Sequence, residues 1–158
     1  MTYDSVVLRN IARLMLPLLL LLSLFMLFRG HNLPGGGFIG GLVASCAIIL
    51  QMVAFGPTFA RNIIRVNYLL LAAFGVFFGA IWGIPALFDS LPYMKAYWLP
   101  ERIPGIGTMG TPVLFDIGVF LTVIGVTTKI ALLLSEEPIL FPIEFVEQEY
   151  EGDESPAT

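Results

Sequence analysis

Three ionisable residues in or beside the long apolar runs are candidates for chemistry: Asp116 and Lys129 in the last run, and His31 in a glycine-dense stretch between the first two. A carboxylate inside a lipid-facing run is costly, so it normally faces protein or water, and it is a default candidate for carrying a proton or a sodium ion. Asp116 has a plainer reading as well. It stands one turn into its run, where a helix N-terminus favours negative charge and headgroup water reaches it. Both readings are open. Lys129 shares a helical face with Gly118, Thr122 and Gly125, which places its ammonium in a protein interface if that small-residue face is packed. Otherwise it snorkels to the bilayer surface, helped by Glu136 and Glu137. Thirteen residues separate Lys129 from Asp116, about 20 Å along a helix axis and on another face, so the two cannot pair within one helix. His31 suits a proton relay because histidine changes charge near neutral pH; a lone loop histidine more often makes one hydrogen bond that holds a turn.

Other chemistries are harder to build. Cys46 is the only cysteine and His31 the only histidine, which excludes disulfides and cysteine-based metal sites and leaves His31 without a second ligand. No metal and no cofactor are expected. The glycine stretch is not a phosphate loop, since it follows no buried strand and lacks a Gly-Lys-Ser/Thr ending. No Ser/His/Asp set and no paired carboxylates on one helix face support an enzyme. The net charge is -4, and eight of the twelve acidic residues lie beyond Ser135 with no Lys or Arg among them, so there is no basic surface for nucleic acid.

The elements that must position these residues are set by hydropathy. Of 158 residues, 57% are hydrophobic and 13% charged, with a mean hydropathy of +0.87. Water-soluble domains carry about 25% charged residues, so this chain cannot cover itself with a polar surface. Four apolar runs, at residues 11–28, 37–55, 67–88 and 113–134, are each about 18 to 22 residues long, enough to cross a roughly 30 Å hydrocarbon core. The first is not a cleaved signal, because no small-residue cleavage pattern follows it. The expected fold is all-α and membrane-embedded, with no sheet. Residues 1–134 form one four-span domain, and residues 135–158 form an acidic, cytosolic tail.

Between the first two spans, Asn32 can cap a helix, Pro34 suits its first turn, and Gly35, Gly36 and Gly37 permit a sharp reversal. Past the turn, Gly36, Gly40 and Ala44 form one small-residue stripe, and Gly37, Gly41 and Ser45 form the next. Such spacing lets membrane helices approach closely. Gly75, Gly79 and Gly83 form a third stripe, able to dock on the glycine face of the second span, whose neighbour is either this third span or another subunit. The second span stops at Gly56-Pro57, and residues 58–66, with Arg61 and Arg65 four apart, suit a short amphipathic piece at the interface. Pro85 kinks or ends the third span. The loop that follows carries Tyr93, Tyr97 and Trp98 beside Lys95, Glu101 and Arg102, a headgroup-layer composition. Pro92, Pro100 and Pro104 argue against any helix there. With both termini on one side, that side holds Arg9, Arg13, Arg61, Arg65 and Lys129 against Arg29, Lys95 and Arg102 on the other, a bias toward cytosolic termini.

Two motifs carry a resemblance. Gly30-His-Asn-Leu-Pro-Gly-Gly-Gly-Phe-Ile-Gly-Gly-Leu42, with Leu114-Phe-Asp-Ile-Gly-Val-Phe-Leu121 at the start of the fourth span, resembles the MrpB (MnhB) family. These are four-span subunits of multi-subunit sodium/proton antiporters of bacteria and archaea, with related segments in some membrane-bound hydrogenase complexes. The resemblance covers all four spans and leaves the acidic tail outside. It implies a non-catalytic subunit of a hetero-oligomer in a prokaryotic cell (inner) membrane, with the other antiporter subunits and the bilayer as partners and Na+ and H+ as the translocated ions. It favours an ion-path role for Asp116 and a turn role for His31, and nothing carries over to Lys129. The alternative is a purely structural membrane subunit of a related complex such as a membrane-bound hydrogenase.

Overall fold

A computed structural model of the chain describes residues 6–29, 34–59, 67–103 and 107–136. The long helices are α1 (Val6–Arg29), α2 (Gly37–Phe55), α3 (Tyr68–Ile81) and α5 (Thr111–Glu136); a short α4 (Pro85–Phe88) and a hairpin of β1 (Trp98–Ile103) and β2 (Gly107–Gly110) stand between α3 and α5. Four segments are long and apolar enough to cross a membrane: Val6–Arg29, Gly37–Phe55, Tyr68–Phe88 and Thr111–Ser135. The all-α class holds for the membrane part. The expectation of no sheet does not hold. The strands pair antiparallel, Trp98 with Gly110 and Ile103 with Gly107, and the register is irregular between Trp98 and Arg102, where Pro100 cannot donate to a ladder. The prolines exclude helix there without excluding a two-stranded edge.

The helices lie in the order α1, α2, α5, α3, so α5 stands between α2 and α3. Their common core is Ala44, Ile48 and Met52 of α2, Tyr68 of α3, and Ile124 and Leu132 of α5. Half of the α2 span is buried against 17% of α1, and by the helix order α1 and α3 flank the inner pair α2 and α5. Pro17 stays inside α1, where a membrane helix tolerates the lost bond.

Each helix end has a local cause. α2 begins after Gly36, whose φ of 105° belongs to glycine. The Gly36 N–H donates to the Met26 carbonyl of α1 at 2.9 Å, and its own carbonyl accepts from Gly40. Gly36 therefore occupies the cap position, while Pro34 stands in a bend ahead of the helix. This corrects the reading of Asn32 as cap and Pro34 as first-turn residue: three glycines in a row resist helix until packing on α5 supports it. α2 ends at Gly56, with φ 90° and its N–H on the Met52 carbonyl at 2.8 Å. Asn67 caps α3, its side chain accepting from the Leu69 N–H at 3.0 Å. α3 breaks over Trp82, Gly83 and Ile84, one turn before Pro85. The proline lacks an N–H and its ring crowds the carbonyl four residues back, so the ladder fails upstream of it. The amphipathic piece expected at residues 58–66 lies mostly outside the described residues, as do His31, Asn32, and residues 137–158 of the acidic tail.

Candidate functional site at the crossing of α2 and α5

The small-residue stripes decide which backbones touch. A β-carbon on Gly40 would lie 2.9 Å from the Ser23 carbonyl oxygen of α1, and one on Gly41 would lie 2.8 Å from Val123 of α5. One on Gly37 would overlap the Asp116 carbonyl. Of the neighbours open to the third stripe, the structure gives it α5 and not the glycine face of α2. A β-carbon on Gly75 would sit 2.5 Å from Thr122 Oγ1 and 2.6 Å from the Gly118 oxygen, and one on Gly118 would sit 2.6 Å from the Gly79 nitrogen. α5 offers a complementary row, Gly118, Thr122 and Gly125, whereas the glycine face of α2 is already taken by α1 and α5. Gly83 faces the rings of the loop, against Tyr93, whose hydroxyl donates to the Ala80 carbonyl at 2.7 Å.

Asp116 is half-buried where α2 begins. Its Oδ2 would lie 3.2 Å from a β-carbon on Gly36, so no side chain stands between the carboxylate and the first turn of α2. The first turn of a helix leaves N–H groups without partners inside the helix and carries the positive end of its dipole, a setting that favours negative charge. Gly35 is half-buried and Pro34 exposed beside it.

Lys129 lies at the far end of α5, about 20 Å from Asp116 along the axis. It is half-buried, one turn past Gly125, which closes on the Tyr68 carbonyl of α3 at 2.6 Å from a built β-carbon. The structure thus separates Asp116 from Lys129. Cys46 is exposed. Among the described residues no three His, Cys, Asp or Glu side chains gather to hold a metal ion.

Two polar anchors were legible only as interruptions of the apolar runs. Ser23 is fully buried and donates from Oγ to the Gly40 carbonyl at 2.9 Å. Gln51, 1% exposed, donates from Nε2 to the Ala12 carbonyl at 2.5 Å. Both tie α1 to α2. The signal that could have found them is general: a polar side chain inside a membrane span needs an acceptor within the protein. Thr128 is fully buried too, and its hydroxyl has no partner among the described residues.

Comparison with known proteins bears on this geometry. The family described as "Domain related to MnhB subunit of Na+/H+ antiporter" matches residues 7–129. The chain is 30% identical over 136 residues to a Na(+)/H(+) antiporter subunit of Bacillus subtilis (strain 168), covering 85% of this chain and 95% of that protein. It is 34% identical over 137 residues to the putative antiporter subunit mnhB2 of Staphylococcus aureus (strain Newman), covering 85% and 97%. Among solved structures, it resembles a chain of the Mrp complex from Dietzia sp. DQ12-45-1b with a TM-score of 0.69 and 34% identity, over 84% of this chain and 15% of that much longer one. With four apolar spans and a match over most of its length, the chain is a multi-pass membrane protein and belongs to the MnhB family of Na+/H+ antiporter subunits.

Proposed function

We propose that the chain is a non-catalytic subunit of a hetero-oligomeric monovalent cation/proton antiporter, that it helps the complex assemble, and that Asp116 lines part of the ion path. The observation that carries the ion-path role is the half-buried carboxylate inside a span, with its Oδ2 against the Gly36 cap where α2 begins. Residues 1–134 act as one four-span unit in a prokaryotic cell (inner) membrane, with residues 135–158 as a cytosolic tail. Both termini are cytosolic in this reading, supported by Arg9 and Arg13 at the end of the bundle where α1 starts and α2 stops. Lys129, at the same end, and His31 are the further candidates.

A second reading has its own support. The carboxylate at the N-terminus of α2 offsets a helix dipole, which is a structural role. Asp116→Asn separates the two, because it keeps shape and hydrogen bonding but cannot exchange a proton. Proton/cation exchange is measured in inverted vesicles and normalised to the amount of complex. The ion-path role expects normal abundance with slowed exchange or a shifted pH optimum, partly restored by Asp116→Glu. Unchanged exchange in Asp116→Asn leaves only the structural role.

A further inference from the structure

Lys129 stands in α5 before the end of its apolar span, Thr111–Ser135, with its Cα about 9 Å inside that end. It is half-buried, between Thr128, which is fully buried, and Ile130, which is 52% exposed. An ammonium at that depth is costly unless an opposite charge meets it. Among the described residues no hydrogen bond or ion pair reaches its side chain. The surrounding chain has little to offer. The positions that a helix brings alongside Lys129 are Gly125, Val126, Leu132 and Leu133, none of them acidic. One turn away, Gly125 closes on the Tyr68 carbonyl in the first turn of α3, and the start of a helix carries positive charge, not negative. Residues 57–66, which lead into α3, contain Arg61 and Arg65 and no Asp or Glu.

Two observations separate the sources of the missing anion. Side chains on a helix slant toward its N-terminus. For Lys129 that direction runs away from the nearer membrane surface and into the bilayer, so a lipid headgroup is reached only against the slant. The acidic tail starts at that same surface, and bringing it to this depth carries unpaired backbone into hydrocarbon. A carboxylate on a neighbouring span meets neither obstacle. The second observation is the Mrp complex from Dietzia sp. DQ12-45-1b, where the matching fold is 15% of a much longer chain. Further protein is therefore continuous with this fold there. The start of α1 lies beside the end of α2, and the end of α2 meets the end of α5 where Ser135 Oγ approaches Met52 Sδ at 3.8 Å. Both ends of the four-span unit thus stand at the end of the bundle that holds Lys129, and protein continuous with the fold departs from there.

We propose that the Lys129 ammonium forms an ion pair with an Asp or Glu carboxylate in a membrane-spanning segment of a neighbouring subunit. The pair rests on the chain's place in a hetero-oligomer and does not depend on an ion-path role for Asp116.

The test uses the whole complex in membranes, treated with dicyclohexylcarbodiimide. This reagent enters hydrocarbon and activates a carboxyl group; an amine in contact then displaces the urea and leaves an amide. Mass spectrometry of the digested complex should find Lys129 joined to an Asp or Glu within a span of another subunit. A join to residues 137–158, or none at Lys129, overturns the proposal. Retention of the subunit is the second measurement. In native mass spectrometry the ratio of free to bound subunit should rise roughly tenfold in Lys129→Met, the scale of losing one close charge pair, and stay near wild type in Lys129→Arg. Wild-type retention in Lys129→Met, equal loss in Lys129→Arg, or loss on delipidation that phosphatidylglycerol reverses also overturns it. Should Lys129→Met fail to fold, the cross-link in the wild-type complex decides alone. If the wild-type subunit does not travel with the complex at all, the reading of the chain as a subunit fails with it; if it travels and the cross-link is absent, only the ion pair fails.

Discussion

The backbone of Gly37 rests on the backbone of Asp116: a β-carbon on Gly37 would overlap the Asp116 carbonyl oxygen and come within 3.1 Å of its Cα. Neither side of this contact is a flexible side chain, so a methyl group forces α2 and α5 apart. Gly37→Ala should lower the stability of the assembled subunit by about 1 to 3 kcal/mol, the usual range for overpacking. Thermal denaturation of the detergent-solubilised complex measures it. A midpoint equal to wild type would show that the crossing is looser than described.

The glycines of α3 should differ from one another. Gly75 has Thr122 Oγ1 at 2.5 Å from a built β-carbon, whereas Gly79 meets only the Phe115 ring, at 3.5 Å, and the Phe115 carbonyl, at 3.7 Å. Gly75→Ala should therefore reduce the amount of intact complex on a native gel, and Gly79→Ala should not. Gly118→Ala, which would push on the Gly79 backbone from the other side, should behave like Gly75→Ala. Equal effects of Gly75→Ala and Gly79→Ala would contradict a docking specific to these positions.

Two buried hydroxyls should respond in opposite ways. Ser23→Ala removes the bond to the Gly40 carbonyl and should cost about 0.5 to 1.5 kcal/mol. Thr128→Val replaces a buried hydroxyl that lacks a partner among the described residues with a group of the same shape, and should be neutral or stabilising. Both are read from the same thermal midpoints. Destabilisation by Thr128→Val would show that the hydroxyl has a partner in the complex.

Outside the spans, the Tyr97 hydroxyl donates to Asp89 Oδ2 at 2.5 Å. That hydrogen bond, with smaller contributions from desolvation and from the charge of Asp89, raises the phenol above its ordinary 10.0. The sign follows directly. The folded loop binds the phenolic proton more tightly than the unfolded chain, so the contact contributes fully below pH 10.0 and is lost as pH rises through the raised value. Ultraviolet titration of phenolate should show a late-ionising component that is reduced in Tyr97→Phe and shifts down in Asp89→Asn. An unshifted titration in Asp89→Asn would remove the contact.

Orientation is testable with single cysteines at Ser5, Ser90 and Ser155 in a Cys46→Ser background. An impermeant maleimide applied to intact cells should label the Ser90 position alone. Labelling at Ser155 would place the termini outside.

Hydropathy by itself determined four spans, because an apolar run of about 20 residues has one stable setting, a helix across hydrocarbon. The bounds of α2 were equally legible, since Gly36 and Gly56 at its two ends adopt backbone angles that few other residues accept. The motif around Gly36 and Asp116 already pointed to the family. Only the tertiary structure decided which stripe meets which helix. A small-residue stripe permits close approach without naming a neighbour, and successive residues point about 100° apart on a helix. Gly40 thus faces Ser23 of α1 while Gly41 faces Val123 of α5, and the complement of Gly75 is Gly118, far along the chain. The hairpin was hidden for a related reason. Pro100 breaks the local strand pattern, and the pairing of Trp98 with Gly110 exists only once the loop folds back on itself. Local sequence sets which conformations each segment can adopt; contacts between distant segments select one set of partners, because burial and close packing are realised only when both faces are present at once.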